Sequence, residues 1–99
     1  MLRHVVLFRK RPETTEETVR EIMARLEALQ GQIPGLTYIQ CFRGLPSERP
    51  VVYTFILDST LERADQLSGY LQHPAHVAVN EWMSPYLENR AVVDYEVPE

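Results

Sequence analysis

The chain has a single cysteine, Cys41, so it can form no internal disulfide and holds no thiolate cluster for a metal. Its four glycines are scattered, and none falls into a phosphate-cradling or dinucleotide-binding loop. Basic residues are also scarce. Ten Lys and Arg against fourteen Asp and Glu give a formal net charge of -4, whereas a nucleic-acid binder needs a basic stripe to neutralise phosphates. The one basic cluster, Arg9-Lys10-Arg11, reads as the solvated end of a strand. No apolar run approaches the length of a membrane-spanning helix. The apolar opening Met1 to Phe8 is too short for a signal-peptide core and runs straight into charge. These absences make a cytoplasmic protein without a cofactor, nucleic-acid partner or membrane partner the expectation.

What is present suits one packed domain over residues 1–99, with 44% hydrophobic and 24% charged residues. Residues 2–9 are dense in Val, Leu and Phe and read as a strand. Alternation puts Leu2, His4, Val6 and Phe8 on one face, and Arg3, Val5, Leu7 and Arg9 on the other. Thr14-Thr15-Glu16-Glu17 offers a capping box with Thr14 as the cap. It opens a helix whose stripe of Val19, Ile22, Met23, Leu26, Leu29 and Ile33 predicts helix up to Pro34-Gly35. Strands are predicted over 36–43 and 51–58, paired antiparallel across a loop rich in turn formers.

Ser59-Thr60-Leu61-Glu62 repeats the capping pattern and predicts a short helix through Leu71. His73-Pro74 breaks it, and Pro74 suits the first turn of a further helix burying Val77, Val79, Trp82 and Met83. Pro85 bends or restarts that segment before a last strand from Arg90 to Val97. The order β-α-β-β-α-β defines an α+β, ferredoxin-like chain. Val5 and Leu7, Ile39 and Cys41, and Val52 and Ile56 are assigned to the face opposite their apolar neighbours, so both faces of the sheet seek burial. Helices can cover only one. A second copy of the chain, in a two-fold homodimer, covers the other.

All three histidines fall in two places: His4 on the first strand, and His73 and His76 around Pro74. If the broken helical region crosses the His4 face, His4, His76 and Tyr70 converge, and an imidazole beside a phenol and a second imidazole suits acid-base work. A structural reading stands beside this one: His4 as a buried, hydrogen-bonded residue, His73 as a local cap on the break, and Tyr70 as a core aromatic. No metal is expected. His73 and His76 lie three residues apart, but the break between them removes the guarantee of a shared face, and no carboxylate completes a ligand set. Cys41, in an apolar strand, reads as an inert buried thiol, and Ser47 and Ser84 have no recognisable triad around them.

Taken together, Arg3-His4-Val5-Val6-Leu7-Phe8, Ile33-Pro34-Gly35, Tyr70-Leu71-Gln72-His73-Pro74-Ala75-His76-Val77 and Val92-Val93-Asp94-Tyr95-Glu96 resemble the stress-responsive A/B barrel (Dabb) family over essentially the whole chain. The resemblance implies a stress-response protein in which two ferredoxin-like subunits form a dimeric α+β barrel. A plant member of that family closes a linear polyketide by aldol condensation. By that resemblance, His76 is the general base, Tyr70 orients or polarises it, and His4 binds or stabilises an enolate-like oxygen, with His73 matching as well. The stripe Val19, Ile22, Met23, Leu26 lacks the aromatic residue that the plant enzyme carries on its first helix, which points to a different substrate.

A small apolar or aromatic carbonyl compound is compatible with a lining of Phe8, His73, Val79, Trp82 and Tyr86. Two functional classes follow: a small-molecule binding protein or cofactor-independent cyclase- or lyase-like catalyst, and a non-catalytic stress protein whose His-Tyr cluster belongs to the core.

Overall fold

The computed structural model describes residues 1–98. Strand β1 (Leu2–Lys10) runs through the alternating opening segment, and its even-numbered residues from Leu2 to Phe8 are buried. Helix α1 (Glu16–Glu27) buries Val19, Ile22 and Leu26. Its cap is Thr15, not Thr14: the Thr15 hydroxyl accepts from the Thr18 amide at 3.1 Å. Thr14 is instead buried and donates its hydroxyl to the Tyr86 carbonyl at 2.8 Å. The apolar stripe also outlasts the helix. Leu29 and Ile33 are buried, but the chain leaves the helix at Ala28 and turns through Gly31, whose φ of 83° favours a residue without Cβ.

Strand β2 (Leu36–Arg43) pairs antiparallel with β3 (Phe55–Leu61), which starts four residues later than expected and runs on through the predicted capping box. Ser59 therefore caps nothing. It is buried within β3 and donates its hydroxyl to the His4 carbonyl at 2.7 Å. The helical region starts later, with a 3-10 turn at Ala64–Gln66 leading into α2 (Leu67–Gln72), where the Arg63 amide is satisfied by the Gln66 side chain at 2.9 Å. Helix α3 (Pro74–Met83) follows, then a 3-10 turn at Ser84–Tyr86 containing Pro85, and β4 (Leu87–Glu96).

The strands form one antiparallel sheet in the order β2-β3-β1-β4, the ferredoxin-like arrangement. Phe8, Ile39, Phe55 and Leu57 from the sheet share one core with Val19, Ile22, Leu26, Tyr70 and Met83 from the helices. Each such side chain contributes about 1.5–3 kcal/mol on full burial. Ile39 and Cys41 lie on this helix-covered face, contrary to the sequence assignment, and Val52 lies outside the strands. The second face carries Val5, Leu7 and Ile56 as expected, with Tyr38 and Phe42 of β2 and Val93 and Tyr95 of β4.

The expectation of a barrel is corrected. The sheet is open, with β2 and β4 as its two edges and no pairing between them among the described residues. About eight strands are needed to enclose an interior just wide enough for side chains, and this sheet has four.

Candidate acid-base site at the helix break

Antiparallel register sets one side of the site. His4 of β1 pairs with Asp94 of β4, so their side chains emerge on the same, helix-covered face, and His4 Nδ1 lies 2.5 Å from Asp94 Oδ1. The carboxylate accepts from Nδ1–H, which turns the Nε2 edge of His4 away from β4.

The other side comes from the break between α2 and α3. A residue before proline is driven out of the helical region, and His73 is extended, with φ -62° and ψ 134°. Its Nδ1 accepts from the Ala75 amide at 3.1 Å, so His73 caps the start of α3. That cap fixes where the first turn of α3 points His76. His76 Nδ1 is 3.1 Å from the Leu71 carbonyl, which can only accept, so the proton sits on Nδ1 and the lone pair on Nε2. Burial holds the His76 pKa below the ordinary histidine value; the charges of His4, Arg90 and His73 push the same way, and the bond to Leu71 opposes them. A neutral imidazole with a free Nε2 is the form a general base requires.

Tyr70 stands between the two imidazoles. Its ring centroid is 5.4 Å from that of His4, edge-on, and 4.7 Å from that of His76. The phenol is buried, and its hydroxyl has no hydrogen-bond partner among the described residues. Burial, with a smaller push from Cys41, raises its pKa, so the group stays a protonated donor. The Cys41 thiol is itself pushed up to about 12 by burial and by Glu27, which leaves it a poor nucleophile.

The other lining candidates are spread more widely. Phe8 is buried and stacks on Phe55 at 4.9 Å between centroids. Val79 and Trp82 pack partly buried against the core. Trp82 lies under the Arg25 guanidinium, 3.9 Å from its ring centroid, and 5.7 Å from the ring of the exposed Tyr86. His73 lines a cleft of about 230 Å³ with Ile33, Pro34 and Gly69. Two clefts of about 390 and 370 Å³ are lined by other residues, at Thr37, Thr60 and Arg63 and at Lys10, Arg43 and Thr54. Among the described residues, no three His, Cys, Asp or Glu side chains are arranged to hold a metal ion, and no helix is long and apolar enough to cross a membrane.

Two neighbours of the site escaped the sequence reading. Asp94 stands in a strand whose register against β1 the sequence does not give, so nothing there says that His4 lies opposite. Arg90 reaches over the Phe8 ring, 5.4 Å from its centroid, and donates to Asn80 Oδ1 at 2.7 Å and Ser84 Oγ at 3.1 Å. Its place at the start of the predicted strand marks it only as a boundary.

Four antiparallel strands in this order, with helices on one face and a polar cluster at the break between two of them, define a ferredoxin-like domain. The chain belongs to the stress responsive A/B barrel domain (Dabb) family, whose profile matches residues 2–97. It is 37% identical over 100 residues to an uncharacterised protein of Streptomyces coelicolor, covering 97% of this chain and 99% of that one. Olivetolic acid cyclase of Cannabis sativa is 23% identical over 95 residues, covering 95% of this chain and 94% of the cyclase. A dimeric ferredoxin-like protein of unknown function from Thermobifida fusca, known from its crystal structure, superposes with a TM-score of 0.84 at 27% identity, covering 97% of this chain and 90% of that one.

Proposed function

We propose that the protein works as a homodimer in the cytoplasm, where it binds a small apolar or aromatic carbonyl compound and moves a proton at the carbon beside the carbonyl without a cofactor. The observation that carries this reading is the Tyr70 hydroxyl, buried and unpartnered among the described residues, on a ring flanked by two imidazoles. Leaving such a group unsatisfied costs about 1–3 kcal/mol, a cost that a ligand oxygen accepting from it would remove. His76 Nε2 takes the proton. The Tyr70 hydroxyl and, once doubly protonated, His4 Nε2–H donate to the enolate oxygen, while Asp94 holds His4 in orientation and balances its charge. The Cannabis sativa relative is named as a cyclase, which favours a polyketide-like substrate class and a carbon-carbon ring closure after proton removal.

Proton exchange tests the base role without requiring the natural product. Aryl ketones are incubated with the protein in D2O, and loss of the α-proton signal is followed by NMR. His76→Gln should keep most of the side-chain volume and lower the exchange rate by about 10²- to 10⁴-fold, with a smaller loss for His4→Gln, whose amide still donates. Equal exchange by wild type and His76→Gln would eliminate the base, and ligand binding without exchange would identify a binding protein.

A further inference from the structure

We infer that Arg90 is the specificity-determining residue of this site, docking the carboxylate of an anionic carbonyl compound whose carbonyl end lies at His4, Tyr70 and His76; this rests on the acid-base reading above. Arg90, Val92 and Asp94 pair with Phe8, Val6 and His4 and so share the helix-facing side of β4. At about 3.3 Å of rise per residue, Arg90 and Asp94 are roughly 13 Å apart along the strand. Between them Val92 is 51% exposed, although its partner Val6 is buried. This lane therefore reads as a cation, an apolar floor and a histidine-bound carboxylate.

The cation is held ready. Asn80 lies one helical turn after His76 on α3, so the helix that carries the base also anchors the guanidinium. Both hydrogen-bond partners of Arg90 are neutral, and no carboxylate lies within ion-pair distance of it among the described residues. A guanidinium carries five N–H donors, and these two bonds leave three available in a planar fork that fits a carboxylate. Although the residue is exposed, the burial of part of its guanidinium disfavours the charged form, and its charge is felt at His76. An incoming anion would relieve both effects. A single guanidinium matches a singly charged carboxylate, where a phosphate dianion would be left under-neutralised. Asp94 repels the same anion from the far end, which fixes the direction in which the ligand lies.

A carboxylate and its uncharged ester separate this inference from the one beneath it. 4-Benzoylbutanoate and its methyl ester carry the same ketone, acidic carbon and spacer, and their Kd values are measured by calorimetry with wild type, Arg90→Gln and Arg90→Lys. Wild type should prefer the acid by about tenfold or more, and 0.5 M salt, roughly a 4 Å screening length, should shrink that preference. Arg90→Gln should lose about 10- to 100-fold in affinity for the acid and almost none for the ester, while Arg90→Lys keeps part of the preference. The Lys variant and the salt series carry the test if the Gln variant folds poorly. Equal affinity of wild type for acid and ester, or a preference that survives Arg90→Gln, overturns the assignment. Exchange lost with His76→Gln but without any acid preference would sink the Arg90 inference alone. An acid preference abolished by Arg90→Gln with no proton exchange would instead sink the acid-base reading and keep the anion site.

Discussion

The two faces of the sheet begin from the same pattern and end in opposite conditions. On β1, Leu2, Val6 and Phe8 point to the helices and are sealed by them, whereas Val5 and Leu7 point away and are only half-buried. Beside those two, Ile56 continues the second face onto β3, and Ala91, Val93 and Tyr95 extend it to the edge at β4, where Val93 is 59% exposed. The polar groups differ as well. On the open face Arg3 and Asp58 neutralise each other in an ion pair, with Arg3 also lying over the Tyr38 ring. On the covered face a buried phenol is left without a partner beside two imidazoles. A largely apolar face whose charges are paired is suited to another protein surface, although the Nε–H groups of Arg3 and Arg9 on it lack hydrogen-bond partners among the described residues; a buried phenol hydroxyl without a partner, on a ring flanked by two imidazoles, is suited to a ligand.

The largest effect expected from breaking this contrast is on the open face. In the proposed homodimer, Val5→Asp buries an unpaired carboxylate against the partner, at a cost of several kcal/mol, on the order of 3–5. Sedimentation across a range of protein concentrations should show wild type as a dimer and Val5→Asp as a folded monomer. A wild type that stays monomeric throughout removes the dimer, and a dimer indifferent to Val5→Asp places its contact elsewhere.

The covered face was more legible in the sequence than the open one, for reasons visible at particular residues. Alternation along β1 puts His4 with Val6 and Phe8, and the proline after His73 marks the break that aims His76, so the convergence of His4, Tyr70 and His76 follows once the broken helical region is taken to cross the His4 face. Asp94 does not follow, because the register of two strands about ninety residues apart is decided by the whole sheet. The assignment of Ile39 and Cys41 to the open face fails for a related cause: with β2 apolar on both sides, alternation does not say which side the helices take. The false capping box at Ser59 to Glu62 shows the limit of motif reading. A serine three residues before a glutamate suits a helix start, but here it sits in a strand whose Phe55, Leu57 and Leu61 are all buried, and tertiary packing overrides the local preference.

Tyr70→Phe sharpens the contrast at intermediate size. Removing the hydroxyl deletes a buried donor that the chain leaves unsatisfied, so the variant should be more stable than wild type by about 1 kcal/mol in urea denaturation. The same change should lower α-proton exchange, because the enolate oxygen loses a donor. A gain in stability with unchanged exchange would strip Tyr70 of its chemical role, and a loss of stability would mean that the hydroxyl is satisfied within the folded protein.

The smallest effect is a pH dependence that belongs to the covered face. The folded pKa of His76 lies below the ordinary value of 6.5, with burial as the first cause and the charges of His4, Arg90 and His73 adding to it. As pH falls through and below that ordinary value, the unfolded chain takes up the proton before the folded one does. The unfolded state then binds more protons, so the slope of stability against pH is positive there. The share of stability owed to a neutral His76 is fully present above the unfolded pKa and is lost as pH falls towards the folded one. Urea midpoints measured from about pH 7.5 down to about pH 5 should therefore fall more steeply for wild type than for His76→Gln, with the two curves running parallel above about pH 7. Subtracting the curves removes the titrations that both proteins share, those of the carboxylates on the open face included. The coupling to His4 across Tyr70 stays in the difference. Parallel curves over the whole range, or a steeper fall in the variant, would mean that folding does not hold His76 neutral, and the free base at Nε2 would go with it.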